Sequence, residues 1–104
     1  MEPPKRRSVL FGGSGMTLAR KVREAVMSKG SAHEKIREVV RILNEEVNEL
    51  MFAIKVDDVV AVIPAVYGEE EVWVGFVLRG ACKMLVVAIK GNIIENIWWT
   101  SRWP

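Results

Sequence analysis

Glutamine is absent from the 104 residues, histidine and cysteine occur once each, and there are two aspartates against eleven glutamates. Each scarcity excludes something. The single Cys82 cannot close an internal disulfide, so the fold must hold by packing alone. His33 has no second histidine, cysteine or aspartate near it in sequence, so it offers neither a metal-ligand spacing nor a base for a nucleophile. Apolar runs stay far below the roughly 20 residues of a membrane span. The basic start is followed by no apolar segment of signal-peptide length, so a cytoplasmic location is expected. Amide-poor, glutamate-rich and Lys/Arg-rich usage follows the thermophile trend.

What is present is half apolar, enough for one domain with a single core. The net charge of +2 is unevenly spread. Residues 1–30 carry seven basic and two acidic groups, residues 31–60 four and seven, and residues 61–104 four of each. A basic front end on a near-neutral body points toward an anionic partner.

Residues 1–15 divide from the rest as a basic arm and glycine-rich hinge, and residues 16–104 read as a single α+β domain. Pro3 and Pro4 forbid a helix start, and Lys5, Arg6 and Arg7 form a like-charge run. That run reads as a solubilising tail or as an electrostatic arm for phosphates. Ser8–Phe11 reads as a short strand. Gly12-Gly13-Ser14-Gly15 lacks the Lys-Ser/Thr ending of a phosphate loop and reads as a hinge, with an anion-binding turn as the alternative.

The spacing predicts a first helix over 17–29, burying Leu18, Val22, Ala25 and Val26 and ended by a left-handed Gly30. A second helix is expected over 31–54. Its stripe of Ile36, Val39, Val40, Leu43, Val47, Leu50, Met51 and Ile54 is roughly 120° wide at helical spacing. Ser31 and Glu34 make a capping box at its start. Its outer face carries Glu34, Arg37, Glu38, Arg41, Glu45, Asn48 and Glu49, with Glu45, Glu46 and Glu49 crowding the C-terminal half, and Phe52 falls off the stripe. A carboxylate metal site from these acids, with Asp57, Asp58 and Glu69–Glu71, is conceivable, but a solvated face is the ordinary reading, and no metal or cofactor is expected.

From Val56 the period changes to 2. Strands are expected over 58–66, 71–79, 83–89 and 93–100, with Pro64 marking an edge or a bulge. Val72, Val74, Phe76 and Leu78 should face the helices, with Trp73, Gly75, Val77 and Arg79 opposite. With Gly91 and Asn92 as a two-residue turn, Lys90 pairs with Ile93, Ala88 with Glu95, Val86 with Ile97 and Met84 with Trp99. A one-residue slip would exchange Trp98 for Trp99. The whole predicts an αα-hairpin packed on one face of a four-stranded antiparallel β-meander, a two-layer α+β fold.

The helix-free face then carries Trp73, Val77, Met84, Val86, Ile97 and Trp99, a large apolar patch for a monomer. It is read as a platform for single-stranded DNA or RNA. Bases would stack on Trp73 and Trp99, with Arg79, Lys90 and Arg102 flanking. Lys5, Arg6, Arg7, Arg20, Lys21 and Arg23 would track phosphates. In composition and architecture this looks like the small non-OB single-strand DNA-binding proteins of hyperthermophilic archaea. The alternative is a homodimer whose interface is that apolar face, without nucleic acid. An enzyme built on His33, Cys82, the glutamates or the glycine loop is not expected, because no nucleophile is paired with a base. The tail Ser101–Pro104 should be loose unless docked.

Overall fold

The computed structural model describes residues 16–46 and 55–103. The first helix, α1, spans Leu18–Met27. Thr17 caps it, its hydroxyl accepting from the Arg20 N–H at 3.3 Å. Two further donors of the first turn go to a distant hairpin. The Leu18 N–H donates to Asn92 Oδ1 (3.1 Å) and the Ala19 N–H to the Gly91 carbonyl (2.9 Å).

The second helix, α2, spans Ala32–Glu46. Its capping box forms as expected. Glu34 N–H donates to Ser31 Oγ (3.1 Å), and Ser31 N–H donates to Glu34 Oε1 (3.0 Å). Gly30, expected as a left-handed helix end, is not in that region, since positive φ among the described glycines is confined to Gly80 and Gly91. Instead α1 ends at Met27, and an extended Ser28 donates its N–H and hydroxyl to the Ala25 carbonyl. What Gly30 supplies is space, because a Cβ there would lie 2.8 Å from Glu34 Oε1 and push the carboxylate off its capping bond. The expected continuation of α2 through Val47, Leu50, Met51 and Ile54, and Phe52 with it, lies outside the described residues.

After a short 3-10 turn at Val56–Asp58 come β1 (Val59–Val66), β2 (Glu71–Leu78), β3 (Met84–Lys90) and β4 (Ile93–Thr100). They form one antiparallel meander in the order β1-β2-β3-β4. Pro64 sits on edge strand β1, where its missing N–H costs no ladder bond. The Gly91-Asn92 turn forms with Gly91 at φ 59°. The Gly91 N–H also donates to the Glu70 carbonyl (2.8 Å), so the β1–β2 turn, the β3–β4 turn and the start of α1 are pinned together.

The core lies between the layers. Leu18, Val22, Val26, Ile36, Val39 and Leu43 meet Val72, Val74, Phe76, Leu85, Val87 and Ile89. α1 lies against β2 and β3, and α2 against β1. Ile42, outside the expected stripe, is also buried, on the side of α2 that faces α1. A fully buried Val or Leu is worth about 1.5–3 kcal/mol against exposure, so this interlayer core is the main source of stability. No helix among the described residues is long and apolar enough to cross a membrane.

The expected β3–β4 register holds for two pairs and then fails. Lys90 pairs with Ile93 and Ile89 with Ile94, but Ala88 faces Asn96, Val86 faces Trp98 and Leu85 faces Trp99. Glu95 is the extra residue of a bulge. The Asn96 side chain accepts from the next N–H, that of Ile97, at 2.9 Å, which supports the irregular backbone locally. Every side chain beyond Glu95 therefore exchanges faces. Trp98 joins Trp73 on the helix-free side, while Ile97 and Trp99 turn to the helix side.

Candidate nucleic-acid interface

Alternation along the four strands sends Ala61, Ile63 and Ala65 of β1, Trp73, Gly75 and Val77 of β2, Met84, Val86 and Ala88 of β3, and Asn96, Trp98 and Thr100 of β4 to the face without helices. Tyr67, just past β1, continues the parity of Ala65. Its ring meets that of Trp73 edge-on at 5.1 Å, and Trp73 meets Trp98 edge-on at 5.3 Å. These separations suit the aromatic quadrupole. The three rings form a diagonal row across the sheet. Trp73 and Trp98 are half-buried, and Tyr67 is 55% exposed.

The face is not bare, as the sequence led one to expect. The segment that follows β4 folds back onto it. Thr100 Oγ1 donates to the Arg102 carbonyl (2.8 Å) and accepts from the Arg102 N–H (3.3 Å), which turns the chain over the sheet. Trp103 then rests on Gly75, whose Cβ, were there one, would lie 2.5 Å from Trp103 Cζ3 and 3.0 Å from Met84 Sδ. Gly75 is buried beneath it, and Val86 and Ala88 on the same face are buried too, outside the interlayer core. The Trp73 Nε1–H is buried and has no hydrogen-bond partner among the described residues, a costly state for a donor.

The expected site residues separate. Trp73 stands in the ring row. Lys90 is exposed at the end of β3, opposite Glu71 on β2 and Ile93 on β4. Arg102 is exposed in the tail beside Trp103. Arg79 follows β2, and its Nη2 donates to the Asp57 carbonyl (3.3 Å) at the β1 rim. The others do not join them. Trp99 is 52% exposed on the helix side, the consequence of the Glu95 bulge. Arg20 is held by two carboxylates, Nη2 donating to Glu69 Oε1 (2.6 Å) and Nε to Glu70 Oε2. The Glu70 hydrogen bond, with the charges of both acids, raises its pKa further. Lys21 lies with Glu24, Glu38 and Arg41 along the cleft between the helices. Arg23 is on the opposite flank of α1, its Nε buried with no partner among the described residues. Lys5, Arg6 and Arg7 lie outside the described residues, as does the glycine loop at 12–15.

Sequence reasoning missed Tyr67 and Trp103 as members of this face and left Trp98 open, as the outcome of a one-residue slip. The polar pair Glu95-Asn96 inside an otherwise apolar strand was the available sign of a bulge. Nothing local marked Trp103. Among the described residues no three His, Cys, Asp or Glu side chains are grouped to hold a metal ion. Cys82 is free and exposed, and His33 is exposed in the first turn of α2.

Compared with protein families, curated proteins and solved structures, the chain matches none.

Proposed function

We propose that this protein binds single-stranded nucleic acid on its helix-free sheet face. Bases stack against the row of Tyr67, Trp73 and Trp98, and Lys90 and Arg102 meet phosphates at its margins. The observation that carries this reading is the ring row itself, three aromatic side chains in contact on a face that no described helix covers. Charge supports it from the other side. The outer surface of α2 mixes Glu34, Glu38 and Glu45 with Arg37 and Arg41, and Arg41 is already paired with Glu38 and Glu45, so that surface offers a phosphate backbone no basic patch. Stacking on an aromatic side chain is worth roughly 1–3 kcal/mol per base and tolerates any base.

A titration of fluorescent oligothymidylate in low and then rising salt tests this. Binding should quench tryptophan emission and weaken with salt. Trp73→Ala with Trp98→Ala should lose about tenfold or more in affinity while the fold is kept. Absence of binding at low salt, or undiminished binding by the double variant, contradicts the proposal.

A homodimer is a second reading, favoured by a different observation. Edge strand β4 has no proline, and it exposes Trp99 on its helix side and Ile93 at its start, 60% exposed. A second copy adding strand to strand along β4 would cover both.

A further inference from the structure

We infer that the notch above Gly75 is a ring-binding subsite filled by the chain's own Trp103, and that a nucleobase takes it by displacing that ring. This rests on the nucleic-acid reading for the identity of the incoming ring, but the notch itself stands on independent observations. A glycine in the middle of a strand gives up side-chain packing and weakens the strand, so its use marks a place where another group approaches closely. Here that group is an indole. Trp103 Cζ3 and Cε3 lie 2.5 and 3.1 Å from where a Gly75 Cβ would be, with Met84 Sδ at 3.0 Å. Any side chain at position 75 would close the notch.

The occupant is held lightly. It stands three residues beyond β4, and the hydrogen bonds that steer it are the two local ones within Thr100–Arg102. It therefore acts as a tethered ligand, present at high effective concentration but without a ladder to break on leaving. Beside the notch, two residues along the same strand and face, Trp73 keeps its Nε1–H buried with no acceptor among the described residues. Trp103 meets position 75 with the carbon edge of its ring, Cζ3 and Cε3, and a nucleobase is a flat ring that carries acceptors as well. An incoming base thus replaces the contact that Trp103 supplied. The tail lowers apparent affinity by the fraction of time it occupies the notch.

Two readouts separate this inference from the nucleic-acid reading. In the first, free indole is added to Trp103→Ala and followed by the backbone amide signal of Gly75. The signal should shift and saturate with the variant and stay unmoved in the unaltered chain, where Trp103 holds the place. No saturable shift in the variant overturns the notch as a ring site, whatever happens with nucleic acid. In the second, oligothymidylate is titrated into the unaltered chain, into Trp103→Ala, and into Trp103→Ala combined with Gly75→Ala. Trp103→Ala should bind about tenfold tighter than the unaltered chain, and adding Gly75→Ala should remove that gain by closing the notch. A weaker or equal affinity for Trp103→Ala overturns displacement by a base, because Trp103 would then be part of the platform or a bystander. Thermal melts of each variant verify that the sheet is intact. Indole binding without oligonucleotide binding by any form overturns both the base as occupant and the nucleic-acid reading, and leaves only the ring site.

Discussion

Arg20 and Arg41 each hold two carboxylates, and both belong to the structure before they belong to any ligand. Arg41 bridges Glu38 and Glu45 along α2, one turn to either side. The hydrogen bonds from Arg41 hold the Glu38 carboxyl below the ordinary carboxylate range, against a smaller opposing effect of desolvation. A carboxylate with a depressed folded-state pKa stabilises the fold above its unfolded pKa and loses that contribution as pH falls through the folded value. The side chains of the Glu38–Arg41 pair are about half exposed, so solvent screens it and its contribution is about 0.5 kcal/mol. Glu38→Gln should therefore cost about that much at neutral pH, and the deficit should vanish as pH drops below the carboxylate range. Denaturant melts at several pH values check this. A deficit that persists or grows in acid contradicts the assignment of the bond to the ionised carboxyl.

At the scale of elements, β4 decides which tryptophan serves which face. The bulge at Glu95 is a single extra residue, yet it moves Ile97, Trp98 and Trp99 to the side opposite the one strict pairing from the Gly91-Asn92 turn requires. The elements themselves were legible in the sequence because period and turn chemistry agreed: four strands, the hairpin turn, the capping box and the edge position of Pro64 are all as the pattern indicated. The face of Trp98 was not legible, because a bulge is set by backbone geometry over three or four residues and leaves only a faint polar mark, here Asn96. The docking of Trp103 on Gly75 was less legible still, since it joins residues far apart in sequence. Arg20, placed on a helix face open to solvent by periodicity, meets Glu69 and Glu70 only because the turn bonds of Gly91 bring that corner together. The β4 edge carries its own prediction. If two copies pair there, the protein should sediment as a dimer at about 100 µM, within the range of ordinary weak association. Trp99→Lys should return it to a folded monomer, since an edge lysine opposes strand addition. A monomer for the unaltered chain at that concentration excludes edge pairing.

For the whole molecule, the two layers divide the work by charge and shape. The helix layer supplies the apolar floor of the core and turns a mixed, ion-paired surface outward along α2. The sheet turns its other face, with its contiguous rings and the margin residues Lys90 and Arg102, away from that layer. The central claim is that ligand meets this second face, and the four indole N–H signals of a nitrogen-labelled sample report on it directly. Two lie in the ring row (Trp73 and Trp98), one lies over Gly75 (Trp103), and one lies on the helix side (Trp99). On titration with oligothymidylate the account predicts that the Trp73, Trp98 and Trp103 signals shift together while Trp99 stays in place. Movement of Trp99 alone, or no movement of any indole at saturating oligonucleotide, would contradict it.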